Sequence, residues 1–584
     1  MSASPQPPVP ASCGGATTER RFSRSQLRSP TDDRGLLQIP PLSRLKRIVE
    51  GNAVAFERLR CTGEWLEDLR PCAEERQTVR TEVWLSAQRW TQQLLAAASP
   101  APHNKSITSL LSERFAAPNL TSARWVVTGH QPALIHPGVW IKNLAVAELS
   151  RRLESGVGLN LIVDNDIAPS PSLLIPAGTP EVPHWESLAY DTTLGAAPWE
   201  ETRVTDRELF GSFGIRVEQA LSSWGIVPLA VEFWPRVLQA ERVLGNPGWA
   251  FAAARAVTEW SWGSGNLELP LSELCQLPGF HRFVVRLLNQ LPRFHSVYNQ
   301  ALANYRQTYR IRSRTHPVPD LRADHDWLEA PFWIWLAGDR QRRRLMVRKV
   351  DDQLELSDGH DFFETLPTAS SGLSAAVDVL GRLAHRGIRL RTRALTTTLF
   401  SRLYLADLFV HGIGGAKYDE MTDQIIRDLC QMQPPQFATL SATVRLPLPS
   451  FPMNARVFRQ RIQDLRSAEQ HPAGYLDHPS DNPTHALLSE MNLLIAEQQA
   501  FRRGEAEGTS QAGSGARRFR RFQQIRQQLR AATEQTRRQL TQQLAEAEKQ
   551  LAANRILCSR EYAFCLFPPE LLRSFFRDAC SAID

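Results

Sequence analysis

The chain has 584 residues, 42% of them hydrophobic and 22% charged, and a formal charge of +7 from 68 basic and 61 acidic side chains. That balance excludes a fibrous or wholly disordered protein, and at roughly 100–200 residues per domain it predicts three or four structural units. Much of the excess charge lies in residues 517–538, so nucleic acid is not an expected partner of the body. With no apolar run of about 18 residues, no membrane span is expected either.

Residues 1–36 are rich in Ser, Pro and Arg and lack the apolar stretch of a secretory leader, which predicts a disordered tail. The eight cysteines are scattered and form no CxxC pair. This pattern predicts reduced thiols and a cytoplasmic address. Residues 37–120 carry apolar side chains at three- and four-residue spacing and predict helices. The core is expected over residues 121–440. "ARWVVTG" reads as a strand, "VWIKNLAVAELSRRLES" as an amphipathic helix closed by Gly156 and Gly158, and "GLNLIVDND" as a second strand. Strand, helix, strand is a βαβ unit, the opening of a doubly wound α/β sheet whose ligands bind beyond the carboxyl ends of the strands.

Residues 200–314 read as a helical insertion between sheet strands, and residues 331–360 as a small antiparallel hairpin. The sheet is expected to resume with "GIRLRTRALTTTLF" and to run through "LADLFVHG" into a Gly-rich turn and a helix. Residues 441–584 are expected to be helical. Within them, Phe522, Ile525, Leu529, Ala532, Thr536, Leu540, Leu544, Ala547 and Leu551 form a heptad seam over residues 515–556, with a break in register between Ala532 and Leu544. The arginines between Arg517 and Arg538 fit solvated outer positions of that helix, or a nucleic-acid patch.

The candidate chemistry gathers at three strand ends. After the first strand, Thr128 offers a hydroxyl, Gly129 permits a sharp turn, and His130 and His136 share one short loop with Gln131. Either histidine can act as general acid or base, or cap the following helix. Lys142 and Asn143 could steady a phosphate or carboxylate, or lie on a solvated helix face. Asp164, Asn165 and Asp166 could hold an ammonium group, or form a turn. No histidine lies at tight ligand spacing to them, so no metal is assigned. In "HGIGGAKYDE", His411, Gly412, Gly414, Gly415, Lys417 and Tyr418 precede a helix whose amides could cradle an anion, though glycines also simply allow a tight turn. Arg393 could clamp a carboxylate or pair at the surface, and residues 316–333 could form a lid or a surface turn.

"VVTGHQPALIHPGVW" with "LIVDND", together with "TRALTTTLFSRLYLADLFVHGIGGAKYDEMTD", resembles the bacillithiol-biosynthesis cysteine-adding enzymes over about residues 123–576. That family has a "GQQ…GP.Y" loop, an acidic strand end and a "GPGE..Y" turn. Here His130 stands at the first glutamine, Asp164-Asn165-Asp166 at the acidic strand end, and Gly412-Ile413-Gly414-Gly415 at "GPGE". The resemblance implies a Rossmann-like core and a C-terminal antiparallel, dimerising coiled coil. It also implies a ligase that joins cysteine to an amino-sugar acceptor with ATP as the expected nucleotide. On the residues alone, a metal-assisted hydrolase, another amine ligase, or a scaffold acting through the basic helix remain rival readings.

Overall fold

The computed structural model describes residues 27–59, 69–99, 120–192, 195–313, 315–476, 483–503 and 514–583. Two compact units emerge. The first comprises residues 1–175, 187–445 and 560–584, and the second residues 176–186 and 446–559. The fold is mixed α/β, with parallel strands in its main sheet.

In the first unit, strand β1 (Gly35–Ile39) precedes helices α1 (Leu45–Glu57) and α2 (Ala73–Ala98). The βαβ unit follows as β2 (Arg124–His130), α3 (Pro137–Arg152) and β3 (Gly156–Ile162). β4 (Ser172–Gly178) and β5 (Pro183–Ala189) pair as a separate two-stranded sheet, whose residues 176–186 are counted with the second unit. Helices at Arg207–Ser222, Ala230–Leu244 and α4 (Pro247–Ser261) lead to β6 (Leu267–Pro270). After three further helices come β7 (Ala323–Asp324), β8 (Trp327–Leu336), β9 (Arg343–Val350), β10 (Gln353–Ser357), β11 (Phe363–Pro367) and β12 (Ile388–Thr392). The main sheet is completed by β13 (Leu408–His411), α5 (Ile413–Cys430) and β14 (Ala438–Thr443).

The main sheet has the order β1-β14-β13-β2-β3-β6, parallel throughout except for β1, which runs antiparallel along β14. Its inner strands read as near-continuous apolar runs because both faces are covered: Trp125, Val126, Val127, Leu159 and Leu408 have no exposed surface. Buried charge fixes the sheet to α2. Asp407 accepts from Arg80 at 2.7 Å and from the Trp125 backbone N–H at 2.8 Å. From β2 the chain proceeds outward through β3 to β6, and from β13 it proceeds the other way to β14. The order therefore reverses between β2 and β13, and such a reversal opens a crevice at the carboxyl ends of those strands.

The structure corrects several expectations. Residues 200–314 are not only an insertion, because β6 lies within them and joins the main sheet. The hairpin of residues 331–360 is part of a larger antiparallel sheet in the order β11-β10-β9-β8-β12, with β7 alongside β8. "IRLRT" belongs to that sheet as β12, paired with β8, so the main sheet resumes only at β13. Alternation marks a strand but does not say which sheet it enters. The disorder expected over residues 1–36 does not hold for all of them, since Gly35 and Leu36 pair with β14; residues 1–26 lie outside the described residues. Residues 441–584 are not all helical, because β14 extends to Thr443. Cys72 is disulfide-bonded, contrary to the expected all-thiol state, while Cys275, Cys430, Cys558, Cys565 and Cys580 are free.

The second unit is chiefly helical: α6 (Ala455–Gln470), α7 (Pro483–Arg503), α8 (Ser514–Ala532) and α9 (Glu534–Leu557). α6 packs on α9 and α7 on α8. The single long helix expected over residues 515–556 bends at Thr533, whose hydroxyl donates to the Leu529 carbonyl at 3.0 Å. Thr533 is fully buried beside Ile525 and Leu529, whereas Ala532, assigned to the seam, is exposed. Residues 504–513 lie outside the described residues. Helix α10 (Pro569–Cys580) returns to the first unit.

Candidate functional site

β13, β2 and β3 are neighbours in parallel register, so His411, His130 and the Asp164 turn lie along one edge of the sheet. Lys142 occupies the crevice between the first two. It sits near the start of α3, 4% exposed, and its Nζ donates to the Gly129 carbonyl at 2.9 Å. A Cβ on Gly412 would lie 3.9 Å from its Cδ and Cε, so its stem runs beside the turn after β13. Among the described residues no carboxylate forms an ion pair with it, and burial alone lowers its pKa to about 8. A lysine so enclosed is held against the cost of desolvating a charge.

That amine influences three histidines. His130 is depressed well below its ordinary range by burial, then by Arg255 and Lys142. Its Nδ1 lies 2.8 Å from the Gln131 carbonyl. Since a carbonyl only accepts, Nδ1 carries the proton in the neutral ring and Nε2 holds a lone pair. Nε2 is enclosed and without a partner of good geometry, as is Asn143 Oδ1, although Asn143 raises the basicity of His130. The pair is one proton short of a hydrogen bond. Asn143 is fixed from behind, its Nδ2 donating to Glu259 at 3.0 Å. Glu259 also receives Trp140 at 2.5 Å and Arg255 at 2.7 Å, and Arg255 bridges on to Glu268 at 2.7 Å.

His136 takes the capping role. Its Nδ1 accepts from the Gly138 N–H at 3.1 Å at the start of α3, and burial, with Arg560 and Lys142, lowers its pKa to about 4. Thr128 is also engaged, donating to the Val410 carbonyl at 2.8 Å and so tying β2 to β13.

His411 differs from His130 in having an anion. Its Nε2 is 2.9 Å from Asp419, which receives Arg402 at 2.7 Å; Arg402 also donates to Asp423 at 2.6 Å. Arg402 and His411 hold the Asp419 carboxyl far below the usual carboxylate range. Gly412 begins α5 with no side-chain cap, leaving the first-turn amides of Ile413, Gly414 and Gly415 at a positive helix end. A Cβ at Gly415 would stand 2.7 Å from His411 Nδ1, so the close approach requires glycine. Gly414 faces open space, Lys417 is exposed, and Tyr418 is half-buried with its ring 6.3 Å from that of His316.

The acidic strand end divides. Asp164 is fully buried and accepts from the Ser272 N–H at 2.9 Å, the Ser272 hydroxyl and Trp249 Nε1 at 3.1 Å. Burial and Glu200 nevertheless push it up to about 7. Its acceptor positions are thus filled by protein donors, clasping β3 to the segment after β6. Asn165 donates to the Thr392 carbonyl at 2.8 Å. Asp166 is the accessible member, 43% exposed, and meets Gln131 at 2.5 Å and Arg342 at 3.2 Å. Arg393 follows β12 directly and heads the next helix, 2.6 Å from buried Glu329 and 4.1 Å above the Trp333 ring, with Nε and Nη1 unpartnered among the described residues. Arg342 covers the same ring at 4.9 Å.

Sequence reasoning gave no role to Arg342 or Glu259, and it read Glu329 and Trp333 only as part of a lid or surface turn. There Asp324 and His325 form an exposed pair while Glu329 is a buried anchor for Arg393 and Arg344. Among the described residues no group of three His, Cys, Asp or Glu side chains is placed to hold a metal ion, and no helix is long and apolar enough to cross a membrane. Neither a protein-family model nor a curated protein matches the chain.

Proposed function

We propose that the protein is a small-molecule ligase that forms a carbon–nitrogen bond, of the kind the cysteine-adding resemblance suggests, on a Rossmann-like core. The observation that carries this reading is Lys142, a buried amine with no counter-ion among the described residues, at the point where strand order reverses. With the uncapped start of α5 at Gly412, Gly414 and Gly415, it fits a phosphate or carboxylate of substrate or nucleotide. ATP, when bound, would supply the group that activates a carboxylate. The chain's own part is to hold that anion, orient the amine and move its proton.

In this reading the anion held at Lys142 offsets the positive charge that keeps His130 unprotonated, so that Nε2 can take the proton of the attacking amine and gain Asn143 Oδ1 as partner, while His136 keeps α3 in place. Asp166, with Gln131 beside it, holds the amine; Asp164, its acceptor positions filled, holds the fold. Arg393, Lys417 and Tyr418 border the acceptor. Dimerisation through residues 515–556 and a cytoplasmic setting belong to the same proposal, and the disulfide at Cys72 is the feature that weighs against that setting.

The test incubates the full chain with cysteine, a glucosaminyl-malate acceptor and ATP, and follows nucleotide consumption with mass analysis of thiol products. A ligated thiol, lost in Lys142→Met, is the expected result. No product and no nucleotide turnover by the wild-type chain overturns the ligase.

A further inference from the structure

A second cavity opens at the other end of α3, with a volume of about 430 Å³. Small-molecule sites typically enclose roughly 300–1,000 Å³. One face of α10 lines it through Arg573, Phe576, Arg577 and Cys580, spaced by three and four residues as a single helical stripe requires. Leu144 and Glu148 of α3 form another wall, and Trp262, just beyond α4, a third.

The charges here are unequally matched. Glu148 is occupied by its own helix, accepting from Arg151 at 2.7 Å and Arg152 at 2.6 Å. Among the described residues Arg573 has no acidic partner, and Arg577 has only Asp578 at 3.9 Å, with both side chains largely exposed. Two arginines one turn apart on a helix repel, and an anion between them relieves that repulsion. Beside them, Trp262 is half-buried and Phe576 buried, so the floor is aromatic and the rim cationic.

We propose that this cavity binds a small amphipathic anion, with a flat apolar body against Trp262 and Phe576 and a carboxylate or phosphate held by Arg573 and Arg577. Its position makes it an accessory site, separate from Lys142 and not dependent on the ligase reading. Between Lys142 and Arg152 α3 rises about 15 Å at roughly 1.5 Å per residue.

The experiment is isothermal titration of the full chain with 2-naphthoate, 1-naphthyl phosphate and neutral 2-naphthol. One saturable equivalent of an anionic probe is expected, and whichever probe binds tighter identifies the head group. The double variant Arg573→Glu/Arg577→Glu, made on the exposed face, weakens it by about tenfold or more. Trp262→Ala also weakens it, and Lys142→Met leaves it unchanged. No saturable binding, equal binding of 2-naphthol, persistence in the double glutamate variant with circular dichroism unchanged, or loss in Lys142→Met would each overturn the proposal.

Discussion

Two histidines end adjacent strands of one sheet, and their surroundings are opposite. At the end of β13, His411 belongs to a buried set in which Arg402 serves Asp419 and Asp423. At the end of β2, His130 and Lys142 are enclosed with positive charge near them and no carboxylate paired to either among the described residues. The first arrangement pairs its buried charges without a ligand. The second is complete only when something anionic, or a proton on His130, is added. A histidine's place in a fold therefore says less about its chemistry than whether its neighbours leave it a role unfilled.

The contrast can be broken by exchanging stability for activity at the two ends. Arg402→Met strands two buried carboxylates and is expected to destabilise the fold by about 3–5 kcal/mol, measured by chemical denaturation. A loss below about 1 kcal/mol would mean that the β13 cluster is not held by charge. His130→Ala, by comparison, is expected to lower turnover by about 10²–10⁴-fold with little loss of stability, since its Nε2 holds nothing in place.

Lys142→Met sharpens the comparison, because it removes an uncompensated charge and should stabilise the fold near neutral pH by as much as about 3 kcal/mol. The pH dependence follows from the lowered pKa. Between about 8, the folded value, and 10.5, the ordinary value, the unfolded chain binds more protons, so stability rises with pH. Below 8 both states carry the proton and this group adds no slope. Denaturation midpoints across that window should climb in the wild type and flatten in Lys142→Met. A smaller effect is expected at the cap: His136→Ala should cost about 1 kcal/mol through the lost bond to the Gly138 N–H, read as a shift in thermal midpoint.

The βαβ opening was legible because β2 and β3 are largely apolar runs on either side of a helix-length segment, a local signal, although α3 is buried on nearly every side and is not the amphipathic helix expected. The turn expected over the glycines after β13 is instead the first turn of α5, but the two histidines behind β2 were legible as polar groups directly after a strand. The burial of Lys142 was not, since lysine on a helix ordinarily faces water and only the close passage of Gly129 and Gly412 encloses it. β6 escaped notice because four residues, "LELP", carry too little pattern amid helices. The division between Asp164 and Asp166 was equally invisible. It depends on Ser272 and Trp249, which are distant in the chain and reach one carboxylate but not the other.

The edge pairing of β1 with β14 bears on how the protein is made. One of the earliest described segments lies against the last strand of the sheet, and Asn52 reinforces the arrangement by bonding the Asp407 and Gln436 carbonyls. During ribosomal synthesis Gly35–Ile39 emerges long before its partner exists, on the order of half a minute earlier at about 5–20 residues per second. The nascent chain must therefore keep "GLLQI" from pairing elsewhere until Ala438–Thr443 appears, and closure of this sheet is a late event in the birth of the molecule.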